Sequence, residues 1–113
     1  MRRRQSERPK RRYRRRTVRV FVEYVSDAGL CVDPATTLGA GGLFIETESP
    51  LLEHSVLKMR FRLPGSATTH EIEGRVVWCR RPRDPGSYSP GMGIEFTDRA
   101  AAAGLARDLE TLK

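Results

Sequence analysis

The sequence predicts an all-β fold: a small six-stranded antiparallel β-barrel with a C-terminal α-helix. Three observations predict it. Apolar residues recur at every second position in several short runs. Gly, Pro, Ser and Asp cluster between those runs at hairpin-like spacing. Only the segment 100–112 changes to a helical period. A chain of 113 residues builds one domain and one core. Closing its strands into a barrel leaves few free edges.

Residues 1–10 are polar and aperiodic, and read as a flexible basic arm. The barrel domain with its helix is assigned to 11–113. From Thr17 the period is two, with Val18, Val20, Val22 and Tyr24 on one face of the first strand. Ser26-Asp27-Ala28-Gly29 is a turn, and Gly29–Val32 begins a second strand that Asp33-Pro34 is expected to break or bend. A glycine-rich corner, Thr36–Gly42, leads into the third strand, Leu43–Thr47. The fourth, Val56–Leu63, points Leu57, Met59, Phe61 and Leu63 inward. In the fifth, His70–Arg80, alternation places Ile72, Gly74, Val76 and Trp78 on one face. Residues 82–91 form a Pro/Gly loop, and Met92, Ile94 and Phe96 alternate in the sixth strand. Thr97 or Asp98 caps the helix, whose stripe is Ala101, Leu105, Leu109 and Leu112.

Charge is distributed unevenly. Residues 1–19 carry a net +10 and the remaining 94 a net −3, within an overall +7. The arm therefore seeks a polyanion: phosphate, nucleic acid or an anionic membrane surface. Its densest stretch, Arg11-Arg12-Tyr13-Arg14-Arg15-Arg16, abuts the first strand. No apolar run is long enough to span a bilayer, and no apolar segment follows the basic start as in a secretory signal. Cys31 and Cys79 lack the paired spacing of a zinc site and read as small strand residues in a reduced, cytoplasmic setting. His54 and His70 look isolated and solvent-facing, and Trp78 reads as core or rim packing. There is no nucleophile–base pair, no carboxylate cluster in a cleft and no metal spacing. An enzyme, a catalytic residue, a metal or a cofactor is not expected.

Two elements point to a binding function. The arginine tract has a fixed position relative to the barrel. Thr37-Leu38-Gly39-Ala40-Gly41-Gly42 lets a ligand approach the backbone closely. It is neither a P-loop nor a dinucleotide fingerprint, since no Lys-Ser/Thr follows and a strand, not a helix, comes next.

The order of motifs carries a resemblance. An RRxxR tract precedes the first strand; then come the polar–Gly corner, Gly-Gly-Leu-Phe-Ile, Glu-Gly-Arg-Val-Val-Trp, and Pro-Gly-Met-Gly-Ile-Glu-Phe. Over residues 11–112 this resembles the bacterial PilZ domain. The resemblance implies a six-stranded barrel that binds cyclic di-GMP and signals by protein–protein interaction, in processes such as motility. It places the first motif on Arg11, Arg12 and Arg15, and the second on Thr37, Gly39 and Gly42. Thr37 stands where the family has Asp or Asn, and Gly39 where it has Ser. Arginine suits this ligand, because its fork pairs with phosphate or with guanine O6 and N7 and its plane stacks on a purine. The alternatives are a PilZ-like interaction module that has lost the dinucleotide, or a small nucleic-acid-binding barrel. The expected partners are cyclic di-GMP and a protein.

Overall fold

The computed structural model describes residues 19–27, 29–81 and 89–111. The arm, Arg11, Arg12, Arg15, Ala28, residues 82–88 and Leu112 lie outside the described residues. Six strands are β1 (Val20–Ser26), β2 (Gly29–Thr36), β3 (Gly42–Glu46), β4 (Val56–Arg62), β5 (Thr69–Arg80) and β6 (Gly91–Phe96). One helix, α1 (Arg99–Leu109), follows them. The strands close into an antiparallel barrel in the order β1-β2-β3-β6-β5-β4. The expected all-β, six-stranded barrel with a terminal helix is the observed fold.

Alternation explains the core. Val20, Val22 and Tyr24 of β1 point inward, as do Leu57, Met59 and Phe61 of β4 and Ile72 and Val76 of β5. Met92 and Ile94 of β6 complete the inner face. Full burial of each such side chain stabilises by about 1.5–3 kcal/mol. Tyr24 is also cross-linked, because its hydroxyl donates to Asp33 Oδ2 at 2.7 Å. Burial, and then that hydrogen bond, push its pKa well above the ordinary phenol range.

The structure departs from the sequence reading in three places. First, β2 runs on through Asp33-Pro34 to Thr36 instead of breaking. Pro34 is tolerated because it lies opposite Phe21 with no third strand beside it. Second, β5 carries a bulge. Val76 pairs with Ile94 and Trp78 with Gly93, so two residues of β5 span one of β6. Both Val77 and Trp78 are thereby turned outward, and Trp78 leaves the face of Ile72 and Val76. Third, His70 is buried, at 7% exposure. His54 is exposed, as its isolation suggests.

His70 joins the helix to the barrel. Asp98 caps α1 by accepting from the Ala101 N–H at 3.0 Å. Leu105 and Leu109 then enter the core. Beside them, Asp108 Oδ2 accepts from His70 Nε2 at 2.8 Å and from Ser66 Oγ at 2.9 Å. The hydrogen bond from His70 is the main cause that holds the Asp108 carboxyl below the usual carboxylate range.

Candidate functional site

The corner between β2 and β3 is built on a strained residue. Thr37 has φ of 49°, in the left-handed region that a β-branched side chain rarely adopts. Its Oγ1 turns back and donates to the Thr36 carbonyl at 2.7 Å. Leu38 then anchors the corner in the core, fully buried. Gly39 is buried and its N–H donates to the Gly42 carbonyl at 3.0 Å. The Phe96 N–H donates to the Gly41 carbonyl at 3.0 Å, so the corner is tied to the end of β6.

Gly42 sits against β6. A Cβ there would overlap the Ile94 carbonyl, so the strand pairing itself requires glycine. Gly41 is open on its outer side, with nothing within 4 Å of a notional Cβ.

A groove of about 350 Å³ opens beside this corner. Thr37, Gly41, Gly42 and Phe44 line one side, and Val77, Trp78, Gly93 and Glu95 the other. The bulge in β5 supplies Trp78. Its indole lies flat over Gly93, where any side chain would collide with it. It stacks on Phe44 with ring centroids 5.3 Å apart and remains 43% exposed. The Arg80 guanidinium sits over both rings, 5.0 Å from the Phe44 centroid and 5.3 Å from that of Trp78. One Arg80 N–H also donates to the Ser89 carbonyl at 3.1 Å.

Of the expected site residues, Thr37 and Gly42 share this groove, whereas Gly39 lies beneath it. Arg11, Arg12 and Arg15 lie outside the described residues. Arg19, the first described residue, precedes Val20, which pairs with Ala35. The chain therefore enters the barrel one register step from Thr36 and two from Thr37. Arg19 itself pairs with Glu46 at 3.3 Å.

Sequence reasoning missed Trp78 and Arg80. The available signal was Gly93, a glycine within an alternating strand, which marks a close approach of another group. Among the described residues no cluster of His, Cys, Asp or Glu is arranged to hold a metal ion. No described helix is long and apolar enough to cross a membrane.

Comparison with known proteins identifies the fold and the family. No curated protein matches the chain. A solved inhibitor of motility from Bacillus subtilis (MotI/DgrA) is similar, with a TM-score of 0.67 at 20% identity. The match covers 93% of this chain and 54% of that one, so this chain spans about half its length. The PilZ domain of CeSA from a cellulose-synthesizing bacterium matches with a TM-score of 0.55 at 16% identity, over 86% of this chain and 98% of that one. At these identities the likeness shows the fold alone. The family model for the PilZ domain matches residues 3–112, nearly the whole sequence. The chain belongs to the PilZ domain family, whose members are regulatory receptors and adaptors of the cyclic di-GMP type.

Proposed function

We propose that this protein is a cyclic di-GMP receptor and adaptor. In this reading Arg11, Arg12 and Arg15 close on the dinucleotide at the corner of Thr37, Gly39 and Gly42, and the closed arm alters a protein-binding surface. The observation that carries the reading is the groove itself. A half-exposed indole, the guanidinium over it and an open glycine backbone lie together, beside the point where the described chain enters the barrel. A purine stacks on a guanidinium plane or on the open part of an indole. Arginine forks match both phosphate and guanine edges. The motility role printed for the Bacillus subtilis neighbour makes motility a process to examine first.

The test is titration calorimetry with cyclic di-GMP. The native chain should release heat, and Arg11→Ala or Arg15→Ala should remove most of it. No heat at high micromolar ligand overturns the reading.

A second reading, an interaction module that has lost the ligand, is favoured by the corner's own geometry. The Thr37 hydroxyl is directed at its own backbone, and Gly39 has no side chain to offer. Two missing polar contacts cost roughly 1–2 kcal/mol each. Asn tolerates the left-handed region better than Thr. Thr37→Asn with Gly39→Ser should therefore tighten a weak site about tenfold or more, or create binding in a silent chain. If the double variant of a silent chain stays silent, the corner is not what prevents binding.

A further inference from the structure

The first hairpin carries an exposed face that the groove does not use. Phe21, Val25, Leu30 and Val32 are each more than half exposed. The register sets them side by side, with Phe21 against Pro34, Glu23 against Val32, and Val25 against Leu30. A contiguous apolar patch of this kind marks an interaction surface more often than a solvated one.

A cleft continues that face. β1 meets β4 only through Glu23–Arg60 and Tyr24–Met59. The hairpin tip therefore stands clear of β4 and leaves a cavity of about 400 Å³. Val25 and Leu30 give it apolar walls, and the buried core residues Met59 and Ile72 lie behind them. Around them stand four carboxylates, Glu23, Glu71, Glu73 and Asp98, with Lys58 and Arg60 as the only cations among the described lining residues. Arg60 is already engaged with Glu71 at 3.6 Å. In the sequence these acids are scattered; barrel closure gathers them from β1, β5 and the helix cap.

We propose that the hairpin face and its cleft dock a segment of a partner protein in which Lys or Arg alternates with apolar residues. The apolar side chains cover Val25, Leu30 and Val32. One basic side chain lays its aliphatic stem along Val25 and Leu30 and brings its charge among the carboxylates. Charge complementarity selects this occupant over a second copy. A copy would bring the same apolar face and the same cleft, in which carboxylates outnumber cations, so that acid would meet acid. The inference rests on the adaptor reading above and gives it a surface. That surface lies at the tip end of the hairpin, away from Thr37.

The test uses the full ¹⁵N-labelled chain and two synthetic peptides, acetyl-Val-Arg-Val-Lys-Val-amide and the same peptide with Glu at both charged positions. The basic peptide should shift the amides of Val25, Leu30, Val32, Lys58 and Glu73, and the acidic one should not. Leu30→Lys, a change at an exposed position, should weaken binding at least tenfold, and Glu73→Gln by several-fold, with the rest of the spectrum intact. Equal response to both peptides, shifts centred elsewhere, or no response at millimolar peptide overturns the proposal. So does self-association of the free chain in sedimentation that Leu30→Lys abolishes, which assigns the face to a second copy. Binding seen only after Arg2, Arg3 and Arg4 are changed to Gln assigns it to the chain's own arm. Calorimetry with cyclic di-GMP on the same sample separates the two readings: dinucleotide heat without peptide shifts overturns the docking face alone.

Discussion

At the scale of single residues, the chain uses His70 to seat a carboxylate that would otherwise be costly. Asp108 sits at the barrel–helix junction with a side chain only 16% exposed. Three groups answer its burial: His70, Ser66 and Thr111, the last donating to its backbone carbonyl at 2.7 Å. Because the carboxyl is held below its ordinary value, the folded state binds a proton there less readily than the unfolded chain. Its contribution to stability is complete above the unfolded value of about 3.9. It is lost as pH falls through the lower folded value. Urea titrations between pH 6 and pH 2 should therefore show the native chain weakening below about pH 4. Asp108→Asn should be less stable at neutral pH and should show a flatter decline. An unchanged slope would mean that other carboxylates dominate acid unfolding. Thr37 is the converse case: its strain is left in place, as at many sites that meet ligands.

At the scale of elements, the bulge in β5 is the feature that makes a groove. A regular β5 would keep Trp78 on the inner face with Val76, and the corner would have no aromatic wall. The indole is held by what β6 lacks at Gly93. Gly93→Ala should expel it, giving a red-shifted tryptophan emission and a loss of dinucleotide heat while the far-ultraviolet signature of the barrel remains. Native emission in that variant would mean that the ring accommodates a methyl group and that its seat is not set by Gly93. The bulge also marks where the sequence stops being readable. Val77 and Trp78 are both large and apolar, so alternation carries on unbroken through the inserted residue. Strand β4 was legible because one face is core and the other is charged. The passage of β2 through Pro34 was not, since the missing N–H costs a strand nothing where no neighbour needs it. The pairing of His70 with Asp108 joins residues 38 apart in sequence, and no local period reports such a contact.

At the scale of the whole molecule, the barrel is closed but unevenly sewn. β4 and β5 pair along their full length, from Val56–Arg75 to Arg62–Thr69. β2 meets β3 only through Ala35 and Thr36. Pro34 has no N–H to donate, and its place opposite Phe21 marks a pair that does not exchange backbone bonds. In an antiparallel ladder every second pair is of this kind. The amides of Cys31 and Asp33 therefore point to β1, and those of Leu30 and Val32 point outward. Hydrogen exchange should show this as alternation: slow at 31 and 33, fast at 30 and 32, with the slowest amides in β4 and β5. Uniform protection across 30–33 would show that the outer edge of β2 is covered in solution. Of the proposed site, the sequence disclosed the arginine tract and the corner, which are local in the chain. The groove required Trp78, Phe44 and Gly93, which come together only when β3, β5 and β6 close.

Gly42 carries a lesson about inferring ligands from motifs. Its lack of a side chain is demanded by the Ile94 carbonyl of the neighbouring strand, whether or not anything ever lands in the groove. A descendant of this fold that had abandoned the dinucleotide would keep that glycine to keep its barrel, while the polar positions around it were free to drift. Presence of Gly42 is thus a signature of ancestry and of strand pairing. Evidence about the messenger has to come from residues whose only employment is to touch it.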